Sequence, residues 1–153
     1  MKISELLNPQ AIVADLQGRD KNQVLAELTD ALIACEPSLD RDEVIAVLRE
    51  REKLGSTGIG DGVAIPHGKL AGIPELMLAF GRSRAGVDFE SMDGQAAHLF
   101  FLLIAPEESV GVHLKTLARI SKLLKDATVR RKLLDAADRD TIFQVILDEE
   151  DST

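Results

Sequence analysis

Leu99-Phe100-Phe101-Leu102-Leu103-Ile104 is a continuous apolar run that Ala105-Pro106 ends. Because its residues do not alternate between apolar and polar, the run indicates a strand buried on both faces, as in a sheet between helices. Further strands are predicted on the remaining short apolar segments: Ala11–Ala14, Val63–Ile65, Leu76–Phe80 and Gly86–Phe89. The pattern predicts an α/β fold, a mixed β-sheet of about five strands flanked by helices on both faces.

Apolar residues at helical spacing predict the helices that flank this sheet. Asp20 and Asp40 each precede a Gln or Glu by three residues, the capping-box arrangement that begins a helix. The predicted helices cover residues 21–35, 41–53, 111–125, 129–136 and 140–147, with a single turn at 4–7. Thr128 and Asp140 are the expected caps of the last two. No linker divides the chain, so we expect one domain over residues 1–153, with a frayed acidic tail from about residue 148.

The overall charge and cysteine content restrict the partners and the compartment. The chain of 153 residues carries a net charge of −8, which argues against general binding to nucleic acid and suits a basic surface on a partner protein. The single cysteine, Cys35, cannot form an internal disulfide and fits a reducing compartment. No signal-peptide region or membrane-spanning run occurs, so we expect a cytoplasmic protein without membrane insertion.

A glycine-rich segment is the predicted functional site. Residues 55–69 read Gly-Ser-Thr-Gly-Ile-Gly-Asp-Gly-Val-Ala-Ile-Pro-His-Gly-Lys, with five glycines. Glycine permits positive φ and lets backbone N–H groups approach a ligand, and consecutive free N–H groups suit an anion. His67 stands between Pro66 and Gly68, which leaves little bulk beside the imidazole. We expect His67 to act on an anionic group, a phosphoryl. The expected phosphate-binding residues are Ser56, Thr57, Gly58 and Gly68.

Two nucleotide-binding motifs do not fit this segment. A P-loop needs Gly-Lys-Ser/Thr after a span such as Gly55–Gly60, but Asp61-Gly62 follows instead. The dinucleotide pattern GxGxxG is absent, and the segment does not follow a predicted strand. No cofactor is therefore predicted.

His113 and Arg51 lie on the apolar stripes of their predicted helices. His113 is spaced with Leu117 and Ile120, and Arg51 continues a stripe that includes Leu48. Near a helix N-terminus a neutral imidazole could donate to a phosphoryl oxygen, and an inward Arg beside an anion-binding loop could pair with phosphate. The alternatives are a core histidine bonded to the backbone and an arginine whose stem lies along the core edge.

The remaining candidates give weaker signals. His98 lies at the mouth of the buried strand, where a polar residue needs no special role. The spacing of the histidines matches no metal motif, so no metal site is predicted. Ordinary surface charge is expected at Arg49, Arg82 and Arg84.

The segment Arg51-Glu52-Lys53-Leu54, together with the glycine-rich residues 55–69, closely resembles the active-site segment of a known family. These are the fructose/mannitol-type (type-2) enzyme IIA domains of the bacterial phosphoenolpyruvate-dependent phosphotransferase system. The Gly-Ser-Thr-Gly-Ile-Gly version is most similar to the nitrogen-regulatory enzyme IIA. The likeness extends from about Ile3 to Leu147 and implies a mixed sheet flanked by helices.

The resemblance implies a phosphotransferase that carries phosphohistidine. His67 matches the histidine that accepts a phosphoryl group from a histidine phosphocarrier protein, HPr or its nitrogen-type paralogue. His113 matches a second histidine that assists, and Arg51 matches the active-site arginine, whereas His98 matches no active-site position. An aliphatic rim from Val63, Ile65 or Val112 is the expected contact for a partner protein.

Three uses of such a site remain open from the sequence. The favoured use is regulation, in which phosphorylation decides which target proteins are bound. The others are a sugar-specific enzyme IIA that passes phosphate to a separate IIB protein, and an interaction module whose histidine loop is only structural.

Overall fold

Within residues 2–151, which the computed structural model describes, the chain forms six helices and six strands. The strands are β1 Leu7–Val13, β2 Gly58–Gly60, β3 Val63–Ala64, β4 His67–Leu70, β5 Met77–Val87 and β6 Ala97–Pro106. The helices are α1 Ile3–Leu6, α2 Lys21–Cys35, α3 Arg41–Lys53, α4 Val110–Lys125, α5 Ala127–Asp135 and α6 Arg139–Asp151. None of these helices is long and apolar enough to cross a membrane.

The apolar run 99–104 lies at the centre of the sheet. Its strand, β6, pairs antiparallel with β5 and parallel with β3 and β4, in the order β1-β5-β6-β3-β2. Residues 99–105 are all buried, as expected for a strand covered on both faces. The predicted α/β fold with one mixed sheet is confirmed, with six strands in place of the five or so expected.

Two strand predictions are wrong in extent. β1 begins at Leu7, so Asn8-Pro9 lies inside a strand instead of ending a helical turn. Pro9 is tolerated there because β1 is at the edge of the sheet, where a missing N–H costs little. The two strands predicted around 76–80 and 86–89 are one strand, β5, with a register shift between Arg82 and Val87.

Arg82 is fully buried, contrary to the expectation of surface charge. Its guanidinium donates to the carbonyl oxygens of Ala14 and Leu133, each at 3.0 Å, and to that of Ala136. Leu133 and Ala136 lie at the C-terminal end of α5, where free carbonyl groups attract a cation. These acceptors explain why β5 can bury a charge.

The caps of the last two helices lie earlier than predicted. The Asp126 side chain accepts from the Thr128 N–H, so α5 begins at Ala127 and Thr128 is not its cap. The Asp138 side chain accepts from the Thr141 N–H at 2.8 Å, so α6 begins at Arg139 and Asp140 is not its cap. An N-cap carboxylate commonly binds an N–H two or three residues ahead.

The acidic tail is not a frayed extension in the described residues. α6 continues to Asp151, and Glu150 accepts from the N–H groups of Ile3 and Ser4 and from the Ser4 hydroxyl at 2.6 Å. Glu150 therefore ties the end of α6 to the beginning of the chain. The predicted tail residues 152–153 lie outside the described residues.

Candidate functional site

β3 and β4 place His67 beside the buried strand β6. Val63 pairs with Leu99 and His67 with Leu103, both parallel and in one register. Between them the Pro66 carbonyl accepts from the Leu103 N–H at 2.9 Å. Since proline has no N–H, Pro66 interrupts the ladder without leaving a buried donor unpaired. The backbone of His67 is thus fixed by the strand that the apolar pattern identifies.

A tight turn between β2 and β3 explains two of the glycines. Gly60, Asp61 and Gly62 have φ values of 99°, 57° and 77°. Non-glycine side chains are strained in this region, so the turn itself requires Gly60 and Gly62. Asp93 supports the turn by accepting from the Asp61 N–H at 3.0 Å.

Gly68 is required by packing. A Cβ atom on Gly68 would lie 2.3 Å from Cγ1 of Val47, which belongs to α3. The missing side chain therefore lets β4 approach α3 closely. This contact places His67 beside the helix that carries Arg51.

The imidazole of His67 is held in one tautomer. Its Nδ1 lies 2.7 Å from the carbonyl oxygen of Ile65. Because a carbonyl only accepts, Nδ1 carries the hydrogen and Nε2 keeps its lone pair. Desolvation by burial, followed by the charge of Arg51, lowers the pKa of His67 below its ordinary value, although Ile65 and Glu52 oppose this. The ring is therefore neutral near pH 7.

His113 stands edge-on to His67. The ring centroids are 5.5 Å apart and the planes meet at 83°. The His113 side chain is buried, as its stripe predicts, and its Nδ1 has no hydrogen-bond partner among the described residues. Burial is the main cause that lowers the pKa of His113, followed by the charges of His67 and Lys69. A neutral imidazole thus stands against His67, and its buried Nδ1 has no partner among the described residues.

Arg51 is the third member of this group. It continues the stripe of Val44 and Leu48, which are both fully buried, and is itself half-buried. Its Nη1 donates to the Gly55 carbonyl at 2.8 Å, and its charge lowers the pKa of His67. The structure therefore places His67 and His113 in ring contact, and Arg51 near enough for its charge to act on His67.

The hydroxyls of Ser56 and Thr57 bind protein groups. Ser56 Oγ donates to the Phe89 carbonyl at 2.6 Å and accepts from the Gly58 N–H at 3.0 Å. Thr57 Oγ1 donates to Oε2 of Glu52. These bonds shape the loop, and the predicted phosphate-binding role of Ser56, Thr57, Gly58 and Gly68 stays a prediction.

Glu52 was not singled out from the sequence. Its side chain is only 5% exposed and lies 3.0 Å from Nζ of Lys21. It also accepts from the Thr57 N–H at 3.2 Å. The sequence does place this carboxylate next to Arg51 and a few residues before the hydroxyls of Ser56 and Thr57. A charged residue near a helix end is normally solvated, so this proximity did not predict a buried Glu52.

The remaining predicted residues are His98 and the three residues of the expected rim, Val63, Ile65 and Val112. His98 Nδ1 lies 2.8 Å from the Ser83 carbonyl, a bond that joins β6 to β5. Val63 and Ile65 are buried and therefore do not form the expected rim. Val112 is 41% exposed, with Val110 and Leu114 also exposed on the same end of α4. Across residues 2–151, no group of three or more His, Cys, Asp or Glu side chains could hold a metal ion.

Comparison with known proteins gives a consistent result. A family model described as "Phosphoenolpyruvate-dependent sugar phosphotransferase system, EIIA 2" matches residues 5–149. A "Nitrogen regulatory protein" of Bradyrhizobium diazoefficiens is 44% identical over 146 residues, which cover 95% of each chain. A "PTS system fructose-specific EIIABC component" of Bacillus subtilis is 41% identical over 146 residues, and the chain spans only 23% of its length.

A solved structure shows the same fold. The nitrogen regulatory protein IIA-Ntr from Neisseria meningitidis superposes with a TM-score of 0.88 at 35% identity. The match covers 94% of this chain and 98% of that one. The mixed sheet and its helices are therefore shared along almost the whole length of both chains.

Proposed function

This chain belongs to the EIIA 2 family of the phosphoenolpyruvate-dependent sugar phosphotransferase system, and from that premise we propose that His67 accepts a phosphoryl group from a histidine phosphocarrier protein. The observation that carries the proposal is the bond from His67 Nδ1–H to the Ile65 carbonyl. It leaves the Nε2 lone pair of a neutral imidazole as the nucleophile. We assign the phosphoryl group to Nε2 for this reason.

The transfer balances without a general base. The Nε2 lone pair of His67 attacks phosphorus, a new N–P bond forms, and the N–P bond to the donor histidine breaks. The bonding pair returns to the donor ring, which leaves as neutral imidazole. His67 keeps its Nδ1 hydrogen, and the Ile65 carbonyl stabilises the positive charge that the phosphorylated ring acquires. The phosphoryl group is carried covalently, so the step itself requires no cofactor.

Arg51 and His113 are the proposed stabilisers of the transferring group. The transition state spreads negative charge over the phosphoryl oxygens, and a fixed cation or N–H donor beside them lowers its energy. Arg51 supplies the cation. His113 supplies a neutral imidazole that stands edge-on to His67. His113 also lies in the first turn of α4, where free N–H groups favour an anion.

The exposed end of α4 is the proposed contact surface for the phosphocarrier. Val110, Val112 and Leu114 are 51%, 41% and 61% exposed and flank the buried His113. Apolar side chains beside a reactive group let two proteins meet and exclude water from the transfer. This surface takes the place of the rim first expected around Val63 and Ile65.

Regulation is the use that we propose for the phosphorylated protein. The relative that matches over 95% of both chains is named a nitrogen regulatory protein. Passage of phosphate to a IIB protein in sugar transport is the second candidate, supported by the 41% identity to a fructose-specific component. Phosphorylated protein mixed with a fructose-type IIB separates them: rapid loss of the phosphoryl group to IIB supports the second candidate and contradicts the first.

The test of phosphoryl acceptance uses purified components. Wild-type protein and His67→Ala are incubated with phosphoenolpyruvate, enzyme I and a phosphocarrier, and intact masses are measured. The proposal predicts an acid-labile increment of one phosphoryl group on wild type and none on His67→Ala. An unchanged increment on His67→Ala, or none on wild type, contradicts it.

A further inference from the structure

The buried carboxylate of Glu52 connects three elements of the fold. It lies on α3, pairs with Lys21 of α2 at 3.0 Å, and holds Thr57 of the glycine-rich segment by both the backbone N–H and the hydroxyl. Both carboxylate oxygens have partners. Burying a charge is costly unless it is paired and hydrogen-bonded. Glu52 meets that condition through Lys21 for its charge and through Thr57 for its hydrogen bonds.

A series of hydrogen bonds continues from Glu52 to the reacting imidazole. The Thr57 carbonyl accepts from the Ile65 N–H at 3.0 Å. The Ile65 carbonyl in turn accepts from Nδ1 of His67 at 2.7 Å. Thr57 therefore donates to Glu52 through its N–H and hydroxyl and accepts from Ile65 through its carbonyl oxygen. Ile65 in turn fixes the tautomer of His67.

We propose that Glu52 is a positioning residue for phosphoryl transfer, which acts through Thr57 and Ile65 to hold His67 with Nε2 exposed for attack. The inference rests on the proposed function of His67. It assigns to α3 a second role besides supplying Arg51. The carboxylate binds Thr57 and Lys21, so its proposed effect is on the orientation of the nucleophile.

The Glu52–Lys21 pair lies between an acidic residue, an aromatic ring and the reacting histidine. Lys21 also lies 3.5 Å from Glu90, and its Nζ is 5.0 Å from the centre of the Phe89 ring. Lys21 and Glu52 line a cavity of about 550 Å³. The series of hydrogen bonds therefore begins near solvent at Glu52 and ends at the imidazole of His67. The negative charge of Glu52 raises the pKa of His67 and so opposes the effect of Arg51. It would also stabilise the positive ring of phosphohistidine.

Two variants interrupt the series at different atoms. Glu52→Gln keeps the size of the side chain but retains one acceptor oxygen where the carboxylate uses two. Thr57→Val removes the hydroxyl donor and leaves the backbone bond to Glu52 in place. Glu50→Gln is the matched control, because Glu50 lies on the same helix, is 71% exposed and pairs only with Lys53 in the described residues.

Two measurements separate positioning from a merely structural role. The imidazole nitrogen shifts of His67 in the unphosphorylated protein report its tautomer, and phosphorylation rates at increasing phosphocarrier concentration separate kcat from KM. Thermal unfolding reports whether each variant folds. If Glu52→Gln does not fold, Thr57→Val decides.

For Glu52→Gln and Thr57→Val we expect nitrogen shifts averaged between tautomers and kcat lowered about tenfold, with KM little changed. Glu50→Gln should match wild type in both. Wild-type shifts together with wild-type kcat in the two variants would overturn the positioning role. If wild type accepts no phosphoryl group, the proposed function fails, whereas the nitrogen shifts still decide whether Glu52 fixes the imidazole.

Discussion

His67 and His113 stand edge to face, with ring centroids 5.5 Å apart, although they belong to a strand and to a helix far along the chain. Each imidazole is desolvated, and each has a pKa below the ordinary histidine value. Both rings are therefore mainly neutral at pH 7, and repulsion between two cationic rings would oppose protonation of the second. One neutral ring can then attack phosphorus while the other donates to a phosphoryl oxygen.

Replacement of His113 should slow transfer more than it destabilises the fold. We expect His113→Ala to lower the rate about 10- to 100-fold, because one donor to the transferring group is lost. The measurement is the phosphorylation rate, with thermal unfolding alongside. Lys122→Ala is the control, since Lys122 is exposed in the last turn of the same helix. A rate equal to that of the control would contradict a role for His113.

The rate of phosphoryl acceptance should depend weakly on pH near neutrality. Because burial lowers the pKa of His67, more than half of the nucleophile is neutral at the ordinary histidine value of about 6.5. The fall of the rate in acid should therefore have its midpoint below about pH 6.5. Single-turnover rates in a pH series measure it. A fall centred above about pH 6.5 would show that His67 is not desolvated as described.

Stability should fall in acid for the same reason. The pKa of a histidine is higher in the unfolded chain than in these two buried rings, so the unfolded state binds protons first as the pH falls. The contribution of the two neutral rings to the free energy of unfolding is therefore complete above the unfolded pKa. It is lost as the pH falls from the unfolded pKa through the folded one. Urea unfolding of wild type and His67→Ala, measured in a pH series that starts above the unfolded pKa and extends below it, tests the direction of this dependence. The free energy of unfolding of the variant should fall less with decreasing pH than that of wild type.

The guanidinium of Arg51 should hold the pKa of His67 down. Removing the cation in Arg51→Ala is expected to raise that pKa and to slow transfer about tenfold or more, because the phosphoryl oxygens lose their positive partner. An NMR titration of the His67 ring measures the first effect. Arg49→Ala, on the exposed side of the same helix, should change neither quantity. An unshifted pKa in Arg51→Ala would place Arg51 too far away to act.

Several local signals in the sequence were correct, although Thr128 and Asp140 do not cap α5 and α6. The run 99–104 identified the central strand, and the capping boxes at Asp20 and Asp40 correctly began α2 and α3, where each Asp accepts from the N–H three residues ahead. The apolar stripe of α4 correctly predicted that the His113 side chain is buried. Each of these signals depends on residues within a few turns or a single strand.

Features set by distant partners were not predictable in this way. β2 and β4 are strands only because β3 and β6 pair with them, and the polar stretch of β5 continues because Arg82 finds carbonyl acceptors on α5. The role of Glu52 likewise depends on Lys21, which comes from another helix. Sequence spacing alone does not report such contacts.

Gly68 should tolerate no side chain. Gly68→Ala places a Cβ against Val47, so we expect a loss of about 1–3 kcal/mol in the free energy of unfolding. Val47→Ala should restore part of that loss in the double variant. Gly111→Ala is the control, since its added Cβ would meet no atom within 4 Å and the position is helical. Equal stability of Gly68→Ala and wild type would contradict the close packing of β4 on α3.

Long-range proton–nitrogen NMR spectra of the phosphorylated protein decide which atom carries the phosphoryl group. After incubation with phosphoenolpyruvate, enzyme I and a phosphocarrier, the bond from Nδ1–H to the Ile65 carbonyl predicts a phosphorus coupling at Nε2 of His67 alone. The Nδ1 hydrogen should remain. A phosphoryl group at Nδ1 of His67, at His98 or at His113, or no phosphorylation of the wild-type protein, would contradict the mechanism.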